Sequence, residues 1–144
     1  MDIPRAGRQH ANAAKIIENR LFESSRPQVS TVGVAPSLKK LTREHPDVRV
    51  ALSLHAPTQT LRERIVPASK RWPLDELLEA LDDHLSATEK RHKRSASGLM
   101  IEYVLLKGVN DRDEDADALA ALLRGRNVML NLIPCVRRAD RSLR

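Results

Sequence analysis

Apolar runs of strand length recur along this chain, each separated from the next by a stretch whose apolar residues fall at helical spacing. Gln28 to Thr31, Val48 to Leu54, Leu99 to Leu106 and Val128 to Ile133 read as strands. Between them, Leu38 and Leu41 give one helix its inward face after Pro36, and Pro46 stops it. Leu74, Leu77, Leu78, Leu81 and Leu85 form the stripe of a second helix opened by Pro73. Ala116, Leu119, Ala120 and Leu123 form a third stripe, with Asp111 and Glu114 as its expected caps and Gly125 at its expected C-terminal stop. Thr60 with Glu63 predicts a capping box for a short helix through Ile65. Strands joined through helices pair in parallel and cross over right-handed. The chain is therefore expected to be α/β, with about four parallel strand-helix units that form an arc of a barrel if the sheet curls.

In such a sheet the loops after the strand C-termini form the functional face. They display Ser30, Thr31 and Gly33, then Ser53 and His55, then Lys107, Gly108 and Asn110, and finally Asn131, Pro134 and Cys135. Ala11 to Phe22 reads as an amphipathic helix through Ala14, Ile16, Ile17 and Leu21. The expected organisation is a poorly ordered lead-in over 1–10, a barrel domain over 11–135 and a divergent basic tail over 136–144.

The 144 residues are 41% hydrophobic and 31% charged, the profile of a globular domain, and no apolar run is long enough for a membrane helix. The formal net charge of +6 favours anionic partners such as nucleic acid. Basic residues concentrate at Lys90-Arg91-His92-Lys93-Arg94 and at Arg137, Arg138, Arg141 and Arg144. Phe22, Trp72 and Tyr103 are the only aromatic residues of the Phe, Trp and Tyr set, too few for a base-stacking platform. Cys135 is the single cysteine, so these residues can form neither an internal disulfide nor an all-cysteine metal site.

Ser30-Thr31-Val32-Gly33, Ser53-Leu54-His55-Ala56-Pro57, Leu61-Arg62, Val66-Pro67, Pro73-Leu74, Glu102 to Asp111 and Asn131-Leu132-Ile133-Pro134 occur in a distinctive order. In order and approximate spacing, from about Leu21 to Pro134, the chain resembles the RlmN-type radical SAM methyltransferases. That resemblance implies a partial radical SAM barrel, holding the third to sixth of six strands. It implies methylation of adenine carbon 2 in large-subunit rRNA and in tRNA, with S-adenosyl-L-methionine and an iron-sulfur cluster as cofactors. Carried over residue by residue, the S-adenosylmethionine site includes Ser30, Ser53, Leu54 and His55. The implied compartment is the cytoplasm or an organelle.

The departures from the family pattern also carry expectations. The three cluster-binding cysteines, the Gly-Met-Gly-Glu-Pro segment and the methyl-carrying cysteine are absent from these residues, and Val136 stands where the family places an asparagine. Cys135 lies at the wrong place in the motif order to be the methyl carrier. The isolated chain is accordingly expected to be catalytically inactive and to expose sheet edges through which it self-associates. The alternative reading is a non-catalytic basic remnant that binds RNA.

Overall fold

A computed structural model describes residues 27–91 and 99–135. The lead-in, the Ala11 to Phe22 helix, the tail and most of the basic run after Lys90 lie outside the described residues. In chain order the elements are β1 (Gln28–Thr31), α1 (Ala35–Glu44), β2 (Arg49–Ser53), α2 (Gln59–Ile65), a 3-10 helix (Pro67–Arg71), α3 (Leu74–Arg91), β3 (Leu99–Leu105), α4 (Asp113–Leu123) and β4 (Met129–Pro134). The four strands form one parallel sheet in the order β1-β2-β3-β4. Sequential order in an all-parallel sheet is the arrangement of a barrel arc, as the strand-helix alternation implied.

Strand register sorts the side chains between two faces. Val50 pairs with Leu99 and Leu52 with Ile101, and these four are buried against the helices. Ala35 and Leu38 from α1, Leu74, Leu77, Ala80, Leu81 and Leu85 from α3, and Leu119 from α4 complete that core with Tyr103. The leucine stripe read from Leu74 to Leu85 is thus the main packing surface beneath the sheet. On the opposite face, one row runs Ser30, Ala51, Met100, Met129 and the next runs Ser53, Glu102, Asn131.

Polar anchors fix the helices. The side chain of His84 on α3 is wholly buried; its Nε2 lies 3.0 Å from the Val48 carbonyl and its Nδ1 lies 3.0 Å from the Thr42 hydroxyl on α1. A carbonyl can only accept, so Nε2 carries the proton, and Nδ1 of the neutral ring shares the one Thr42 hydroxyl proton with the Leu38 carbonyl, which lies 2.9 Å from that oxygen. The one hydroxyl proton of Thr88 on α3 is shared between the Pro46 carbonyl at 3.2 Å and its own helix at His84 O, at 2.9 Å. Arg126, after α4, grips Asp82 of α3 through two hydrogen bonds of 2.7 and 2.8 Å.

Two helix starts differ from the sequence expectation. The short helix α2 is capped by Thr58, whose Oγ1 accepts from the Leu61 amide at 3.4 Å, rather than by Thr60. Gln59 then reaches Glu63 at 2.7 Å and the Leu74 amide at 2.8 Å, which ties the start of α2 to the start of α3. Helix α4 starts after Arg112, whose backbone amide donates to Asp115 at 3.2 Å, while Asp111 turns back to accept from the Gly108 amide at 2.7 Å. Asp111 is spent on the turn, and the cap moves one residue along the chain.

Burial pushes the pKa of His84 below the usual histidine value, outweighing the opposing bond to Val48. The neutral ring is the one the folded state holds, so its contribution is complete above about pH 6.5 and is lost as pH falls toward the depressed folded value. Urea unfolding midpoints are expected to drop between about pH 7.5 and pH 5. The His84→Gln variant, which keeps a donor for Val48, should show a shallower drop; an identical slope in both proteins would contradict this role.

Candidate functional site

The C-terminal ends of β1, β2 and β3 converge on a small set of side chains. After β1, Gly33 adopts φ +91 and its amide donates to Thr31 Oγ1 at 3.1 Å. A Cβ at Gly33 would lie 2.6 Å from Leu77 Cδ2 and 3.1 Å from Arg62 Nη2, so both backbone conformation and space require glycine there. After β2, His55 takes φ 59, the left-handed region rarely used outside glycine. That turn brings its ring back to β3, where Nδ1 accepts from the Val104 amide at 3.1 Å.

The amide N–H of Val104 can only donate, so His55 Nδ1 is the acceptor and the neutral ring carries its proton on Nε2. Burial lowers the His55 pKa and nearby Arg62 lowers it further, against the opposing pull of Glu102. At neutral pH the ring is an uncharged donor through Nε2.

Asn110 holds β2 and β3 together at this level. It is buried, 1% exposed. Its Nδ2 donates to the carbonyls of His55 at 2.7 Å and Val104 at 2.8 Å, and its Oδ1 accepts from the Leu106 amide at 2.7 Å. Its own carbonyl accepts from the Tyr103 hydroxyl at 2.8 Å. Burial, with Asp115 and Asp111 nearby, pushes the Tyr103 phenol up to about 12, so it stays a donor. The sequence placed Asn110 among the displayed polar groups; the structure uses its side chain entirely on backbone.

The other sequence-derived candidates separate by face. Ser30 and Ser53 lie on the face opposite the helices, Ser30 exposed and Ser53 half-buried. Leu54 is 1% exposed in the core; its amide donates to the Glu102 carbonyl at 3.0 Å, and its carbonyl accepts from Arg62. Asn131 is exposed in line with Ser53 and Glu102. Lys107 and Cys135 are exposed where β3 and β4 end, with the Cys135 amide donating to the Leu105 carbonyl at 3.2 Å.

Glu102 and Arg62 belong to this region although no role was read for them in sequence. A lone carboxylate at every-second-residue spacing within the apolar strand β3 was the available signal for Glu102. For Arg62 the signal was weaker, because its inward position depends on α2 starting at Thr58.

Ser30, Ser53, Glu102 and Asn131 offer hydroxyl, carboxylate and amide groups on one side of the sheet, with the His55 imidazole just past the end of β2. Such a mixture of donors and acceptors suits a nucleoside, with the carboxylate a fitting acceptor for ribose hydroxyls. An iron-sulfur cluster does not fit. The sequence has one cysteine, and no group of three or more His, Cys, Asp or Glu among the described residues could hold a metal ion.

No protein-family model matches the chain. Among curated proteins it is similar to "Probable dual-specificity RNA methyltransferase RlmN 2" of Protochlamydia amoebophila, 42% identical over 106 residues, covering 74% of this chain and 28% of the relative. It is also similar to "Probable dual-specificity RNA methyltransferase RlmN" of Parafrankia sp., 46% identical over 106 residues, covering 74% of this chain and 26% of the relative. A third relative, "Ribosomal RNA large subunit methyltransferase Cfr" of Clostridium botulinum, is 39% identical over 118 residues, covering 80% of this chain and 32% of the relative. Among solved structures, a radical SAM methyltransferase from Sphaerobacter thermophilus superposes with TM-score 0.64 at 42% identity, over 73% of this chain and 29% of that one. The chain thus spans about a quarter to a third of the relatives it matches.

The clamp at Asn110 can be tested directly. Asn110→Asp keeps the shape but removes the donors to His55 and Val104 and turns a carboxylate toward two carbonyls. It is expected to cost roughly 2–4 kcal/mol in urea unfolding, from buried acceptors left unpaired. A loss under about 0.5 kcal/mol would show that the clamp contributes little.

Proposed function

We propose that this chain, which belongs to the RlmN-type radical SAM methyltransferase family, forms the nucleoside-binding wall of an enzyme that methylates carbon 2 of adenine in large-subunit rRNA and in tRNA. The observation that carries the proposal is the polar row Ser53, Glu102 and Asn131, with Ser30 beside it and His55 just past the end of β2, on the face opposite the described helices. Ser30, Ser53 and His55 would hold S-adenosyl-L-methionine through hydroxyl and Nε2 hydrogen bonds, with Glu102 accepting from its ribose. Leu54 contributes by position: its side chain backs the site from the core and its backbone bonds set the turn between Ser53 and His55.

Bound there, S-adenosylmethionine would supply the carbon to be transferred. The residues of this chain orient it and keep His55 neutral; no step through an iron-sulfur cluster is assigned, because these residues do not hold one. The chain by itself therefore binds cofactor without turnover. The net charge of +6 gives a partner surface for rRNA or tRNA phosphates. No helix among the described residues is long and apolar enough to cross a membrane; the cytoplasm or an organelle is proposed as the working compartment from the family resemblance.

Self-association follows from the same arc. Strands β1 and β4 have one sheet neighbour each among the described residues. Leu130 and Leu132 of β4 are 41% and 50% exposed. Open parallel edges beside apolar side chains favour pairing between chains.

Titration calorimetry with S-adenosylmethionine tests the cofactor reading. Binding is expected for the unsubstituted chain, and Glu102→Gln should weaken it about tenfold, or ~1.4 kcal/mol. Salt-dependent RNA binding with no heat on adding S-adenosylmethionine would instead support the non-catalytic RNA-binding remnant. Sedimentation velocity tests the edges: a concentration-dependent shift to larger species is expected, reduced in Leu132→Glu, and a monomer at all concentrations would refute self-association.

A further inference from the structure

Arg62 is wholly buried, yet its hydrogen-bond partners are carbonyls rather than a carboxylate. From α2, its Nε donates to the Leu54 carbonyl at 3.2 Å and its Nη2 donates to the Val32 carbonyl at 2.6 Å. Leu54 stands between Ser53 and His55, and Val32 follows Ser30 and Thr31. One planar group therefore spans the two strand ends that present the candidate polar side chains. The β1–β2 ladder has its last pair at Thr31 and Leu52, so the guanidinium joins the strands where their own pairing stops.

We infer that Arg62 is a positioning residue that fixes the spacing between the β1 and β2 ends of the proposed S-adenosylmethionine site, and this rests on the cofactor reading given above. The chemistry selects arginine: its rigid planar fork holds two acceptors through separate nitrogens in fixed geometry, whereas lysine offers its donors from one nitrogen on a flexible stem. Its burial is a poor source of stability. Nη1 is buried with no partner among the described residues, and a guanidinium out of water without full hydrogen bonding is costly. An apolar side chain of similar length would avoid that cost, while leaving the Leu54 and Val32 carbonyls without the guanidinium donor. Gly33 fits the same account, since a Cβ there would lie 3.1 Å from Arg62 Nη2 and the chain must pass close over the guanidinium. The retained cation also acts on His55, lowering its pKa against Glu102.

The test uses the whole 144-residue chain with Arg62→Lys and Arg62→Met. S-adenosylhomocysteine is the calorimetric probe, urea unfolding reports stability, and NMR follows both Leu54 amide exchange and the His55 ring titration. Arg62→Lys should fold, bind the probe at least tenfold more weakly and exchange the Leu54 amide faster. Arg62→Met should bind as weakly while its urea midpoint falls by much less than its affinity, and its His55 pKa should rise because the cation is gone. A residue that merely supported the fold would lower the midpoint in step with affinity. Probe affinity within twofold of the unsubstituted chain in Arg62→Lys overturns the inference, and that variant decides alone if Arg62→Met does not fold. If the unsubstituted chain binds no probe, the cofactor reading falls separately. Leu54 exchange then decides whether Arg62 holds the strand ends: faster in Arg62→Lys upholds the tether, unchanged refutes it.

Discussion

At the ends of parallel strands the hydrogen-bond ladder gives out, and the backbone groups left there need partners. Asn110 answers this for β2 and β3 with a single amide that bonds His55 O, Val104 O and Leu106 N. Those bonds also make the left-handed turn at His55 tenable, because they fix the carbonyl on one side of it while Val104 N–H fixes the ring. A non-glycine residue at positive φ costs energy that its surroundings must offset. The His55 ring depends on that turn being held, since the turn brings Nδ1 back to the Val104 amide.

The sheet is covered unevenly, and this organises its two faces. Helices α1 and α3 bury β2 and the first part of β3. Toward β4 the cover thins, leaving a groove of about 460 Å³ bordered by Tyr103, Leu119, Leu123, Leu130 and Leu132. Leu130 and Leu132 pair with Ile101 and Tyr103, so they belong to the same apolar layer as the buried core but are left exposed. The polar row on the other face runs straight across β2, β3 and β4, and so reaches the least covered strand.

Element order, parallel pairing and the inward residues of the helices were legible in sequence because they follow from hydrophobic period. Strand β1 was read at its observed bounds, and Gly125 does sit at positive φ just past α4. The helix starts were less legible. Thr58 and Thr60 are both able to cap, and what separates them is Gln59 binding Glu63 and the start of α3, which only the folded chain shows. For the site, sequence order singled out Ser30, Ser53 and His55, but it could not reveal how Asn110 is used. Its partners are backbone groups of Val104, Leu106 and His55, the last 55 positions away, and backbone leaves no mark in residue identity. Arg62 was hidden for the same reason.

Charge explains why these backbone tethers matter to the proposed cofactor. S-adenosylmethionine carries a sulfonium and an ammonium against one carboxylate, a net positive charge, so the part of a site that faces the sulfonium must avoid presenting bare positive charge. The chain is basic overall, and a guanidinium lies directly behind the rim. Turning Arg62 toward Val32 O and Leu54 O spends that charge on carbonyl dipoles, away from the polar row. His55 is kept neutral by burial and by the same cation, while Glu102 remains to supply negative charge on the ligand side. Protonating His55 would remove the acceptor for Val104 N–H and, in the proposed site, add a positive charge beside S-adenosylmethionine. The backbone of β3 thus requires the neutral ring, and the proposed ligand would require it a second time.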